Sequence, residues 1–305
     1  MRAHMYNRHR SFLPAALALT LLVVRAFAGT PDLPPSPAPS SADDLTLENL
    51  FTKGWDEPFV MRQSLADGAP DLPLFHSPAN FMVRVSRTDF SFQDDLDKCS
   101  TKSIAYLDEY LDFAVNQRFM LSVFTDYTWL NNATQPREDG VGGGVSGRFQ
   151  LLDTPTSSDS INLRVDVPSR DIGIHTTALS AAFMGWKDLS PAGARGVGVY
   201  YALQNNVYAG YNAPGATRDA LTYEIALART WTSYSAPLGD LTSFVEFSGA
   251  TNLDGDACTR TQLAITPALQ FFLGGRNLFM LGVDFPVTHP AVDRQVYRIT
   301  YVYCF

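Results

Sequence analysis

The run from Gln295 to Phe305 alternates without a break. Tyr297, Ile299, Tyr301, Tyr303 and Phe305 are large and apolar or aromatic, while Val296, Arg298, Thr300, Val302 and Cys304 between them are smaller and more polar. A period of two over about ten residues specifies a β-strand with one greasy face, about long enough to cross a bilayer when tilted. The pattern recurs. Ile161, Leu163, Val165 and Val167 alternate with Asn162, Arg164 and Asp166, and Leu263, Ile265, Leu269 and Phe271 with Gln262, Thr266 and Gln270. Rows of this kind fit a soluble β-sandwich, with the apolar side as core, or a membrane barrel, with the apolar side outward. Periodicity alone leaves both open.

The chain ends decide the expectation. Tyr301, Tyr303 and Phe305 resemble the closing strand of Gram-negative outer-membrane β-barrels, whose terminal Phe and alternating aromatics are read by the barrel-assembly machinery. At the other end, Arg2, Arg8 and Arg10 precede an apolar stretch from Phe12 to Val24, and Ala26-Phe27-Ala28 forms a small-x-small cleavage site before Gly29. This is the pattern of a secretory signal peptide over residues 1–28, too short to span as a helix. The expected location is the outer membrane of a Gram-negative-type bacterium, with outer-membrane lipid and the assembly machinery as partners.

Charge narrows the function classes. The chain carries 23 Lys+Arg and 31 Asp+Glu, net −8, and the signal peptide holds four Arg and no acid, so the exported chain is −12. Such an acidic product is not expected to bind nucleic acid. Thirteen Tyr, twenty Phe and twenty-one Gly favour many short strands over helices. Cys99, Cys258 and Cys304 show no metal-ligand spacing, and Cys99 could pair with Cys258 only if their loops share one side. No cofactor is implied.

Residues 29–42 read as a Pro-rich linker and residues 43–79 as an arm, either periplasmic or tucked into the lumen as a plug. Within the arm, Asp43–Lys53 reads as a short amphipathic helix with Leu45, Leu47, Leu50 and Phe51 on its apolar side, ended by Gly54. Residues 80–305 are expected to form a transmembrane, antiparallel, up-and-down β-barrel of about twelve strands, within a range of ten to fourteen. Alternate connections are short turns at Asn116-Gln117, Asp153–Thr156 and Gly274–Arg276.

The mixed rows assign a lumen lined by Arg84, Asp108, Asp112, Asp126, Arg164, Asp166, Glu224, Glu246, Arg260, Asp284 and Arg298. These charges either line a wet pore or pair across it. Glu109 falls on the lipid row, which predicts a bulge or an interfacial position. Tyr127, Trp129, Trp186, Tyr208, Tyr211 and Trp231 lie near strand ends, where aromatic girdles sit and where core aromatics fit equally well.

Three enzyme-like signals fail on spacing. Asn252-Leu-Asp254-Gly-Asp256 begins like a calcium loop, but its glycine is misplaced and Leu263 stands where a bidentate Glu is required. Gly140–Gly144 lacks the Lys-Ser/Thr of a phosphate loop and opens a strand. Outer-membrane phospholipases place His and Ser two residues apart on one strand face, whereas His175 is followed by Thr176 and Thr177; His289 next to Pro290 reads as a solvated loop residue.

Leu47–Pro58, Leu151–Ser158, Thr251–Asp256 and Gly282–Pro290 resemble a group of exported barrels of planctomycete-type bacteria. That group is similar to outer-membrane channels encoded with meta-cleavage phenol-degradation pathways. The resemblance implies a channel or transporter for a small solute, an aromatic compound or another carbon source, and carries over no functional residues. The alternatives are a closed structural or adhesion barrel without transport and an outer-membrane lipid-modifying enzyme.

Overall fold

The computed structural model describes residues 44–61, 69, 72–77, 80–94, 103–131, 138–167, 177–189, 193, 196–209, 217–231, 240–254, 261–273, 276–288 and 295–305. Twelve strands follow in chain order: β1 (Arg84–Asp94), β2 (Ser103–Ala114), β3 (Phe119–Asn131), β4 (Glu138–Thr154), β5 (Ser157–Val167), β6 (Thr177–Asp188), β7 (Val197–Ala209), β8 (Thr217–Thr230), β9 (Asp240–Asn252), β10 (Thr261–Leu273), β11 (Asn277–Pro286) and β12 (Val296–Cys304). Each pairs antiparallel with the next, and β1 pairs with β12 from Val85–Cys304 to Gln93–Val296, closing the barrel. Closure leaves no sheet edge, as a wall standing in hydrocarbon requires. One rim carries the start of β1, the end of β12 and the tight turns at 115–118 and 155–156; we call it the terminal rim, and the opposite one the far rim.

The burial pattern settles which face is which. Leu111, Val123, Leu163, Leu179, Ile225 and Leu227 are each about half exposed, while Arg148, Asn162, Asn206, Glu246, Gln270 and Thr300 are at most 4% exposed. A soluble sheet protein would bury the first set and expose the second. Each half-exposed aliphatic side chain gains about 1 kcal/mol on moving from water to lipid, so a full belt makes the bilayer the wall's natural solvent. Two expected features differ. Glu109 is exposed on the outward face in mid-strand, opposite Thr88 and Thr125, with continuous register on both sides and no bulge; the one shift recorded in β4–β5 lies between Gln150 and Leu152. Trp186, at 5% exposure, turns into the barrel, whereas Trp231 at 58% stays outside.

The segment expected as a helix is a run of turns. Asn49 diverts its backbone: Oδ1 accepts from Thr46 N at 2.9 Å and Nδ2 donates to Asp44 O at 3.0 Å, bonds that compete with a helical ladder. Nor does it have a single apolar face, since Leu45 is buried while Leu47 and Phe51 are 67% and 87% exposed. Arg118, fully buried in the β2–β3 turn, fixes this segment to the terminal rim. Nε donates to Lys53 O (2.9 Å), Nη1 to Gln150 O and Leu151 O (both 3.0 Å), and Nη2 to Thr46 O (3.2 Å) and Asn49 O (3.1 Å). Leu45 bridges to Asp153, and Pro58 to Asn116.

Candidate functional site

The inward rows do not enclose an open tube, because the arm occupies the lumen. Leu72, Leu74, Phe75, Met82 and Val83 are buried among inward side chains of opposite walls, including Met120 of β3, Trp186 of β6, Tyr200 of β7, Phe244 of β9 and Met280 of β11. Two glycines make room for it. A Cβ on Gly282 of β11 would stand 2.5 Å from the Phe75 ring, and one on Gly198 of β7 would stand 2.7 Å from Ala69 Cβ. The half of the lumen near the terminal rim is thus an apolar core built around residues 72–77, here called the plug.

Polar bonds pin its tip. Arg87 Nη2 donates to Leu74 O (2.7 Å) and Nη1 to Ser77 O (3.3 Å), while its Nε holds Asp89 at 2.7 Å. Across the lumen, Phe75 N donates to Glu246 Oε2 at 3.0 Å. His76 sits between two carboxylates, with Nδ1 against Glu246 Oε1 and Nε2 at 3.2 Å from Asp284 Oδ2. Asp284 also takes Arg298 Nη2 at 2.7 Å and the Thr266 hydroxyl at 2.8 Å. Burial alone would lower the His76 imidazole. Burial is the largest single influence, yet the Glu246 charge and the bonds to Asp284 and Glu246 together overcome it and the opposing Arg298, lifting the ring from 6.5 to about 9. His76 is therefore an imidazolium at neutral pH, donating from both ring nitrogens.

Toward the far rim the plug floors a polar cavity of about 560 Å³, with Phe75, His76 and Ser77 as its base. One wall carries Tyr110 between two guanidinium groups, Arg87 at 5.7 Å and Arg164 at 5.9 Å from the ring centroid, with Arg164 paired to Asp166 at 2.7 Å. Another carries Asn206, Glu224, Asp284 and Arg298. Among the described residues, no group of three or more His, Cys, Asp or Glu is arranged to hold a metal ion.

Of the charged residues assigned to the lumen from sequence, Asp108, Arg164, Asp166, Glu224, Asp284 and Arg298 line this cavity. Asp112 and Glu246 are buried at the lumen wall, at 4% and 0% exposure, and Asp126 lies on the inward row of β3. Arg84 is a correction. It pairs with the exposed Phe113 on the outward row, its guanidinium 4.6 Å from that ring and 5.2 Å from Phe59, and its Nε donates to Ala114 O. Arg260, Cys99, Cys258, His175, His289 and Tyr211 lie outside the described residues.

Sequence reasoning missed Arg87, Asp89, Tyr110, Arg148 and above all His76. The first two were legible by parity, since Val85, Arg87, Asp89 and Ser91 alternate with Thr88, Phe90 and Phe92. His76 was not, because its partners lie 170 and 208 residues away.

No protein-family model matches the sequence, and no curated protein sequence does. Among solved structures, the chain is similar to the NanC porin, at 8% identity and a TM-score of 0.49 over 72% of this chain and 99% of that one. It is also similar to an outer-membrane channel from Pseudomonas putida F1, at 12% identity and a TM-score of 0.47 over 75% and 99% of the two chains. The β domain of the Bordetella autotransporter BrkA scores 0.47 at 12% identity, over 72% and 98%. At these scores the likenesses assign no function.

Proposed function

We propose that this chain is an outer-membrane channel for a small polar solute, held shut in the described conformation by its own plug. One observation carries the reading: the floor of the polar cavity is a segment of the arm and not part of the wall, so passage needs the segment to move and not the barrel to open. In this reading the terminal rim faces the periplasm, outer-membrane lipid covers the apolar belt, and Tyr303 and the exposed Phe305 are offered to the assembly machinery, while Tyr301 is buried against Phe279 with its hydroxyl donating to Asn277 Oδ1. The wall's hydroxyl, amide and paired charged groups suit a hydrogen-bonding solute better than a plain hydrocarbon. The resemblance to channels of phenol degradation suits an aromatic compound or another carbon source.

Planar-bilayer recording of refolded protein tests this. The intact chain should show rare, brief openings, and a variant lacking residues 69–77 should conduct steadily. The apolar core around the plug favours a second reading, a permanently closed structural barrel. Silence from both proteins, each shown to be folded by a heat-dependent shift in gel mobility, would favour that reading and reject the channel.

A further inference from the structure

We propose that the cavity floor is a binding site for a small organic cation, whose ammonium group docks on Glu224 beside Ser77. This deepens the reading of the cavity as a solute vestibule and rests on it.

Glu224 projects inward from β8 into the cavity and is 9% exposed, and its Oε2 has no hydrogen-bond partner. The Ser77 hydroxyl, 7% exposed, is the side-chain donor within reach of the Glu224 carboxyl, and its oxygen keeps free acceptor capacity. A buried carboxyl oxygen left unpaired is costly, so Glu224 Oε2 beside the Ser77 hydroxyl at the base of a cavity defines what would complete it. The neighbouring cations cannot serve. His76 and Arg298 lie within electrostatic reach of Glu224, but His76 is held by Glu246 and Asp284, and Arg298 by Asp284.

The charge at the floor selects the ligand. Once Glu224 ionises against a ligand, it joins Glu246 and Asp284 opposite His76 and Arg298, a balance that favours a cation over an anion. A neutral apolar solute would leave Glu224 unpaired. An ammonium group supplies a charge-assisted donor to Oε2 and a further N–H to Ser77 Oγ. The cavity, at about 560 Å³, has room for the organic remainder of such a solute between Tyr110 and Asn206.

Isothermal titration of the full-length refolded protein with ethylammonium chloride tests the site, with sodium acetate and ethanol as probes of similar size. Ethylammonium should bind and the other two should not. Glu224→Gln, which keeps shape and hydrogen bonding but removes the charge, should weaken binding by at least about tenfold. Ser77→Ala should weaken it by about threefold. The lipid-facing Glu109→Gln should leave it unchanged, and a retained gel-mobility shift certifies that each variant is folded. Unchanged affinity in Glu224→Gln, absence of ethylammonium binding to the intact chain, or complete displacement by an equal concentration of potassium chloride would overturn the proposal. Conductance is read separately: a conducting protein that ignores ethylammonium removes the site and keeps the channel, and a silent one that binds it does the reverse.

Discussion

Replacing His76 with Leu should free the plug without unfolding the wall. Leucine is close in volume, so the change removes the imidazolium and leaves Glu246 and Asp284 facing an apolar group. The rise from 6.5 to about 9 means that docking favours the protonated ring by about 3 kcal/mol. Breaking a buried ion pair from one side falls in the same range, about 3–5 kcal/mol. The amide of Phe75, bonded to Glu246 Oε2, reports docking directly by hydrogen exchange. A loss of 3 kcal/mol should speed its exchange roughly a hundredfold in the variant, after correction for the intrinsic rate. The pH dependence has a definite sign. A raised imidazole stabilises docking fully below about 6.5, loses roughly 1.4 kcal/mol per unit as pH climbs, and contributes nothing above about 9. Protection of residues 72–77 in the native chain should erode across that window and be flat in His76→Leu. Equal protection in both proteins at every pH would refute the carboxylate cage as the anchor.

Other perturbations separate the plug from the wall. Gly282→Ala places a methyl group against the Phe75 ring and should weaken docking by about 1–3 kcal/mol, seen as faster exchange at residues 72–77 with an unchanged gel-mobility shift. Arg118→Lys keeps the charge but loses the planar fork that reaches Lys53, Thr46 and Asn49 together; limited proteolysis should then cut within residues 44–58, and an uncut arm would disprove the clamp. Glu109→Leu should raise the free energy of unfolding by urea from lipid vesicles by about 1–2 kcal/mol, because it removes a carboxylate from the middle of the lipid face. No gain there would place Glu109 against something other than hydrocarbon.

The wall was legible because a strand's period is short and local. Ser103 and Phe119 begin strands where turn chemistry and alternation both say they should, and β12 needed nothing beyond its own residues. Arg84 went to the wrong face because it was assigned by charge instead of by parity with Val85 and Arg87. The arm was misread for a related reason. Leu45, Leu47, Leu50 and Phe51 have helical spacing, yet Asn49 and the distant Arg118 take the backbone groups a helix would need. A plug was one of two readings open for the arm, but the sequence could not choose it or name its residues, since Leu72–Ser77 has no period and is defined by Glu246, Asp284 and Gly282, which only barrel closure brings near.

The two feet of the plug-bearing loop stand close together on the terminal rim. Pro58 bridges to Asn116, and Val83 O accepts from Ala114 N at 2.9 Å, two positions away on the same hairpin. The loop between them can leave the lumen and still belong to it. Its ends never separate, so most of the entropy of closing it is already spent, and re-entry is a unimolecular search at an effective concentration on the order of millimolar. Departure and return are then both unimolecular steps within one chain. A weakened plug of this kind changes the fraction of time the lumen is occupied, so such variants should flicker rather than stand open.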